Sequence, residues 1–317
     1  MNLTFSIIIP VFNRPQEIDA LLESLTKQTF TKGFEVIVIE DGSILKSDEI
    51  VSKYTDRLNI KYHFKENSGA GASRNFGMQL ATGNYFIIFD SDCIIPPHYL
   101  TEVDDALDQN YTDAFGGADA AHNSFTNLQK AINYSMTSFL TTGGIRGNKN
   151  SVNRFQPRSF NLGISKFAFK AIGGFSDMKI GEDIDLTFRL WENHFQTQFI
   201  EKAFVFHKRK STLKQFFKQT FLFGNARPLL NRKYPDTTKI TYWFPTLFII
   251  FFIESLVLLL FGFIFPAVFY IIYFVAIFLD SLIKNKKISV AILSIVTTLI
   301  QFTGYGFGFV KGLFKID

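Results

Sequence analysis

The run Tyr85-Phe86-Ile87-Ile88-Phe89-Asp90-Ser91-Asp92-Cys93 decides how the chain is read. Its apolar part reads as a buried strand, because a strand covered on both faces shows a continuous apolar run. The run stops abruptly at two carboxylates, Asp90 and Asp92. In extended backbone, residues i and i+2 point to the same side, so these acids repel each other unless a cation lies between them. A hard divalent ion, Mg²⁺ or Mn²⁺, suits such a pair and commonly shares its oxygen ligands with substrate phosphates. The plainer alternative is a strand followed by a solvated acidic turn.

The flanking sequence alternates strand and helix patterns. Residues 5–13 form a strand ending at a proline and an Asn, Pro10 and Asn13. Ile18, Leu21, Leu22 and Leu25 then recur at helical spacing. Strands are expected at 34–39 and 60–64, with a short helix at 48–54 and a longer one opening at Gly69-Ala70-Gly71. This alternation predicts an α/β fold, a mostly parallel sheet flanked by helices. Asp41 and Asp90 each follow a strand, so both fall on one sheet edge, where ligands bind in open α/β sheets. Asp41 could accept hydrogen bonds from a base or ribose, or it could cap a turn. The Gly69–Gly71 loop with Arg74 behind it could cradle a phosphate, though it matches neither a Walker loop nor a dinucleotide fingerprint.

Beyond Pro96 the pattern is mixed. Residues 121–159 either contain a helix, at about 128–140, or form a mobile lid. Residues 182–191 form an amphipathic helix with Glu182 and Asp183 at its N-terminus, where carboxylates also favour the helix dipole. Residues 199–206 read as a last strand, ending at His207.

Composition splits the chain in two. Of 317 residues 47% are apolar, 39 of them Phe, and the excess lies after Trp243. The net charge of +5 admits nucleic acid, an anionic membrane or an anionic substrate. The single cysteine, Cys93, excludes an internal disulfide and a multi-cysteine metal site. No signal-peptide pattern opens the sequence, so the front domain is expected in the cytoplasm. The basic stretch 207–233, interleaved with Phe, reads as an amphipathic segment on anionic lipid, with nucleic acid as its rival. Its place before a membrane span favours lipid. Residues 243–283 are long enough for two membrane helices, with Gly262 and Pro266 at their turn. Lys284, Lys286 and Lys287 then fall on the cytoplasmic side, as the positive-inside rule asks. Residues 289–310 form a third apolar segment with Gly304, Gly306 and Gly308 suited to close packing. Lys311 and Lys315 stand against its crossing fully. Glu254 and Asp280 are the acids within the spans. The expected divisions are 1–210, 211–242 and 243–317.

The set of motifs resembles one family. Residues 6–14 (SIIIPVFNR), Glu40-Asp41-Gly42-Ser43, Gly71-Ala72-Ser73-Arg74-Asn75, Asp90-Ser91-Asp92, Gly173-Gly174-Phe175 and Glu182-Asp183 occur in the order and spacing of family 2 glycosyltransferases. That resemblance implies a GT-A fold, a nucleotide-sugar donor (UDP- favoured over GDP-), a divalent metal (Mg²⁺ or Mn²⁺) and transfer with inversion. It makes Asp183 similar to the catalytic base. It makes Asp92, Asp90 and His207 similar to the metal set, with Asp92 the direct ligand. Pro10, Asn13, Asp41, Arg74, Asp90 and Glu182 resemble the donor-binding set. Processive synthases carry Gln-x-x-Arg-Trp after the base, whereas here Gln219 leads to Thr220-Phe221-Leu222-Phe223 and Arg227 lacks the Trp. The resemblance then points to a membrane-attached bacterial enzyme extending a lipid-linked saccharide in the inner membrane. A polyprenyl-phosphate glycosyltransferase and a non-catalytic nucleotide-binding scaffold stay open as alternatives, and nucleic acid is not among the expected partners.

Overall fold

A computed structural model describes residues 2–143 and 155–314. The elements in chain order are β1 (Phe5–Val11), α1 (Pro15–Leu25), β2 (Phe34–Asp41), α2 (Asp48–Ser52), β3 (Asn59–Lys65), α3 (Ala70–Leu80), β4 (Tyr85–Phe89), β5 (Cys93–Ile94), α4 (Tyr99–Gln109), β6 (Ala114–Gly116) and β7 (Asp119–Ala120). Then come α5 (Asn127–Thr137), α6 (Phe139–Thr142), β8 (Asn161–Ser165), α7 (Lys166–Ile172), α8 (Glu182–Glu192), β9 (Thr197–Phe199), β10 (Val205–His207), α9 (Leu213–Lys233), α10 (Phe244–Leu260), α11 (Phe265–Asn285) and α12 (Ile288–Leu313). They form two compact units. The described part of the first is 2–122 with 155–208, and of the second 123–143 with 209–314.

The first unit is built on a seven-stranded sheet in the order β3-β2-β1-β4-β8-β6-β9. β1, β2, β3 and β4 are parallel, while β8 runs antiparallel between β4 and β6. β4 is thus central, as its unbroken apolar run requires. Strand alternation divides its side chains between two cores. Tyr85, Ile87 and Phe89 join Ile7, Ile9, Val36 and Val38 against α1 and α4. Phe86 and Ile88 join Ile8, Ile37 and Ile39 against α3, α7 and α8. Residues 199–206 do not form one strand. The chain turns at Ile200–Ala203, leaving β9 in the large sheet and β10 in a second, three-stranded sheet ordered β5-β10-β7. A single strand through both would have to belong to two sheets at once.

The end of the sheet remote from Asp90 carries a buried acid that the motifs do not flag. Glu35 accepts from Ser6 Oγ (2.6 Å), Thr82 N (2.6 Å) and Thr82 Oγ1 (2.8 Å), and Lys61 Nζ lies 3.2 Å away. This carboxylate gathers the starts of β1, β2 and β3 and the turn before β4. Burial pushes its carboxyl up, but these donors outweigh burial and bring it down to about 2.

The second unit holds α5, α6 and α9–α12. The helix expected near 128–140 is present as α5 and α6, and the rest of that candidate lid, 144–154, lies outside the described residues. Among the described residues three helices are long and apolar enough to cross a membrane, at Ile240–Leu260, Phe265–Asn285 and Ile288–Leu313. α10 and α11 form a hairpin, with Phe248 packed on Tyr270 and Tyr273 (5.0 and 5.3 Å) and Gly262 at the turn with φ +84°. α12 touches this hairpin at its open end. Phe302 packs on Phe244 and Phe248, Gly306 faces Thr246, and Ser294 Oγ lies 2.8 Å from Ser281 Oγ.

The glycines of α12 do pack closely: Gly304 and Gly308 against α9, and Gly306 against Thr246 of α10. A Cβ on Gly308 would stand 2.0 Å from the Phe221 carbonyl, and one on Gly304 2.2 Å from Thr220 Oγ1. Within the basic stretch 207–233, α9 runs from Leu213 to Lys233 and buries one face in this groove. Asp280 is met by Tyr134 Oη (2.7 Å), Ser138 Oγ (3.1 Å) and Lys284 Nζ (2.8 Å), which fastens α5 to α11.

Glu35→Gln is expected to cost about 1–3 kcal/mol of stability, because it leaves buried donors without a charged acceptor. Since the folded carboxyl lies at about 2 against an ordinary 4.5, its contribution is complete above that ordinary value and is lost as pH falls toward 2. Thermal unfolding followed by circular dichroism should show that acid-side loss in the wild type and not in the variant.

Candidate active site

β4 delivers Asp90 and Asp92 to the C-terminal edge of the parallel strands. The three-stranded sheet then brings a histidine to them. Its ladder sets His207 opposite Cys93, and Lys208 N bonds Asp92 O at 3.0 Å. His207 Nε2 consequently lies 3.2 Å from Asp92 Oδ1, with the ring stacked on Phe160 at 4.5 Å. Asp119 of β7 lies 4.0 Å from His207 Nδ1. The Arg14 guanidinium grips Asp92 Oδ2. Burial would push the Asp92 carboxyl up, but His207 and Arg14 hold it well below the usual carboxylate range.

Asp92 and His207 fit a divalent ion. Asp92 Oδ1 is buried, and although His207 Nε2 is near, no donor meets it with hydrogen-bond geometry. Such an atom is costly in a protein interior unless something cationic satisfies it. A carboxylate with an imidazole suits Mn²⁺ and other transition ions better than Mg²⁺, which prefers oxygen throughout. Cys93 Sγ is also close, but burial pushes its thiol up, and it donates weakly to the Phe160 carbonyl at 3.6 Å. It is a packing residue.

Asp90 faces elsewhere. Its Oδ1 takes Arg74 Nη2 at 2.7 Å, and Arg74 Nη1 reaches Glu182 Oε1 at 2.9 Å. Arg74 is buried and lies over the Phe175 ring at 5.2 Å. It is a counter-ion joining β4 to the start of α8. Glu182 feels both sides of this pairing. Burial and the charge of Asp183 push its carboxyl up, and Arg74 pulls it down less strongly.

The neighbouring motifs explain how α8 is placed. Asn75 donates to Phe175 O and accepts from Phe175 N, both at 2.8 Å. Gly174 has φ +73°, and a Cβ there would meet Asn75 Oδ1 at 2.3 Å. Arg189 bonds Asp185 Oδ2 at 2.9 Å and the carbonyls of Ile172 and Gly174 at 2.7 and 2.6 Å. The glycine pair thus turns the chain so that α8 begins beside Arg74. Asp183, in the first turn, accepts from Ile184 N at 2.9 Å and has Arg158 Nη1 3.7 Å away.

Two sequence candidates knit loops together. Asn13 (φ +53°) accepts from Ile44 N and Leu45 N at 2.9 and 3.0 Å, tying the end of β1 to the loop after β2. Pro10 is in β1 itself. Asp41 accepts from Ser68 N and Gly69 N, both at 2.9 Å, and from Lys65. The Gly69 N–H of the supposed phosphate cradle is thus already taken by a carboxylate. Arg14 and Arg158 were not singled out from sequence. Arg14 stood at the end of a quoted motif, whereas nothing local marks Arg158.

Sheet order, the acid pair at the strand ends and the apolar helices define a GT-A-like domain followed by a helical region able to span a membrane. The chain belongs to glycosyl transferase family 2, whose family model matches residues 6–172, more than half its length. Similar proteins include the poly(ribitol-phosphate) beta-N-acetylglucosaminyltransferase TarS of Staphylococcus aureus, 37% identical over 35% of this chain and 20% of that one. Validoxylamine A glucosyltransferase of Streptomyces hygroscopicus is 37% identical over 31% of this chain and 24% of its own length. The glycosyltransferase YibD of Escherichia coli is 36% identical over 38% and 36%. The chain thus matches only about a fifth to a third of these relatives' lengths. Among solved structures, the mannosyltransferase PcManGT from Pyrobaculum calidifontis with GDP-Man and Mn²⁺ shares the fold at TM-score 0.55 and 13% identity, covering 71% of this chain and 64% of that one. TarS with UDP-GlcNAc gives 0.51 and 23%, covering 70% and 66%.

His207→Ala should weaken Mn²⁺ binding by at least about tenfold, the effect expected on losing a metal-orienting or metal-binding imidazole. Electron paramagnetic resonance of free Mn²⁺ measures this, and unchanged affinity would remove His207 from the metal set.

Proposed function

We propose that the protein is an inverting glycosyltransferase that moves a sugar from a nucleotide-sugar donor to a hydroxyl of a lipid-linked saccharide, at the cytoplasmic face of a bacterial inner membrane. One observation carries this reading: a buried Arg74 joins Asp90 at the end of β4 to Glu182, the neighbour of Asp183 at the start of α8. A binding scaffold has no need of a buried arginine held between two partly buried acids to place a fourth charge. In this reading Asp183 takes the proton of the acceptor hydroxyl while its oxygen attacks the anomeric carbon opposite the leaving diphosphate. An α-linked donor then yields a β-linked product. Pro10, Asn13 and Asp41 shape the donor side, and Arg74, Asp90 and Glu182 hold that side and the base in register. Asp92 and His207, with Asp90 beside them, would hold Mn²⁺ or Mg²⁺. When bound, the ion would offset the charge of the leaving nucleoside diphosphate.

We read the membrane topology from the same helices. α10 and α11 span as a hairpin, and α12 lies at the cytoplasmic surface. This accounts for α12 meeting only the first turns of α10 and the last of α11 through its closest contacts. It also puts Lys284, Lys286, Lys287 and Lys311 on one side, as the positive-inside rule requires. A lipid-linked acceptor fits a domain anchored in this way.

Asp183→Asn should lower turnover by about 10²–10⁴-fold while leaving donor binding intact. The assay is nucleotide release from a panel of UDP- and GDP-sugars with Mn²⁺ or Mg²⁺, with and without membrane lipid. Release from one donor, raised by lipid, supports the reading; undiminished turnover in the variant removes Asp183 as the base. For topology, single cysteines replace Phe263 and Phe314 in a Cys93→Ala background. An impermeant maleimide should label position 263 in right-side-out vesicles and position 314 only after permeabilisation. Labelling at 314 in sealed vesicles would make α12 a third span.

A further inference from the structure

Arg227, on α9, is a buried charge of the second unit that meets no acid among the described residues. It is 8% exposed, and its Nη1 has no hydrogen-bond partner among the described residues. Among the described residues its one recorded charge-type contact is with a ring, the guanidinium standing 4.4 Å from the centroid of Tyr242. Arginine keeps its charge in proteins and offers five N–H donors in a planar fork. A cation–π contact answers the charge in part and none of the donors. Removing a guanidinium from water is unfavourable unless an anion or several acceptors replace the lost hydration. The chain provides neither here, in contrast to Arg74, which is filled by two carboxylates.

The surroundings say which anion fits. Asn231, one turn along the same helix face, carries Nδ2 donors for such an anion, while its buried Oδ1, an acceptor, is unmet among the described residues. Pro228 cannot donate a backbone N–H, so the Gly224 carbonyl loses its usual helical partner and the local ladder is already open. Tyr242 belongs to the short turn leading directly into α10, with Trp243 next to it. Tyr and Trp at that position mark the headgroup level of a bilayer. A planar cation at that depth, unanswered by an acid among the described residues, matches a tetrahedral oxyanion that stays at the membrane surface.

We infer that Arg227, stacked on Tyr242 and flanked by Asn231, is a binding site for the phosphate of a membrane lipid. Bulk anionic phospholipid and a polyprenyl phosphate carry the same group. The inference concerns lipid binding alone and holds whether or not the first unit transfers a sugar.

The test uses the full chain in neutral detergent. Its thermal unfolding is followed while phosphatidylglycerol, a polyprenyl monophosphate, phosphatidylcholine or inorganic phosphate is added. The two anionic lipids should raise the unfolding temperature at concentrations at least about tenfold below those needed of inorganic phosphate, as expected for ligand linkage to a lipid site. Arg227→Gln should raise that concentration by about tenfold or more, and Arg227→Lys, which keeps charge without the fork, by a smaller factor. Without lipid, Arg227→Gln should be at least as stable as the wild type, because it removes an unanswered buried charge. Equal response to both anionic lipids identifies headgroup binding; preference for the polyprenyl monophosphate identifies the carrier lipid. The inference is overturned if Arg227→Gln responds to lipid as the wild type does. It is equally overturned if inorganic phosphate matches the lipids, or if the variant is destabilised in lipid-free detergent, which would show an internal partner. If the Gln variant does not purify, an unaltered lipid response in Arg227→Lys and in Tyr242→Leu together overturns it.

Discussion

The first unit depends on how one buried guanidinium is answered. Arg74 cannot lose its charge and is almost wholly removed from water. The fold satisfies it with Asp90 from the central strand and Glu182 from a helix far along the chain. Breaking either pair leaves an uncompensated charge in the interior, which typically costs about 3–5 kcal/mol. The arrangement therefore does more than stabilise. It fixes where α8 begins relative to the end of β4, and so fixes Asp183. The Asn75 clamp on Phe175 and the reach of Arg189 to the carbonyls around Gly173 act on the same junction.

Asp92 is treated differently. Its answer comes from His207, Arg14 and an oxygen left without a good donor. The two acids of one short motif thus have separate tasks. Asp90 is paired with Arg74, whereas Asp92 lies beside His207 and Arg14. Their i, i+2 spacing put both at the strand end, but it did not say which would face the arginine.

Much of the fold was legible because its signals are local and periodic. The apolar runs of β1, β2 and β4 could be little other than strands buried on both faces, and 182–191 carried a clear helical stripe. What stayed hidden was set by long-range pairing. Nothing local distinguishes one strand at 199–206 from two strands in different sheets. The groove in α12 was legible as glycine spacing, yet its occupant, α9, was not, since the sequence marked that helix for lipid by its charge. Glu35 passed as an ordinary strand residue because its role comes from donors on β1, β3 and the turn before β4. The burial of Arg74 between two carboxylates was not visible either, since spacing does not reveal burial.

The three-stranded sheet has a consequence for the order in which the protein is made. Asp92 and Cys93 emerge from the ribosome early, with the central strand. β7 follows, and β10, which carries His207, comes at the very end of the first unit. The ladder that sets the imidazole beside the carboxylate is only a few residues long and closes a loop across most of that unit, so it gains little until the rest is in place. A nascent chain can have a packed sheet and still be unable to hold the ion. In the proposed reading, an ion held by Asp92 and His207 would bind only once synthesis has passed β10, just before the apolar helices appear.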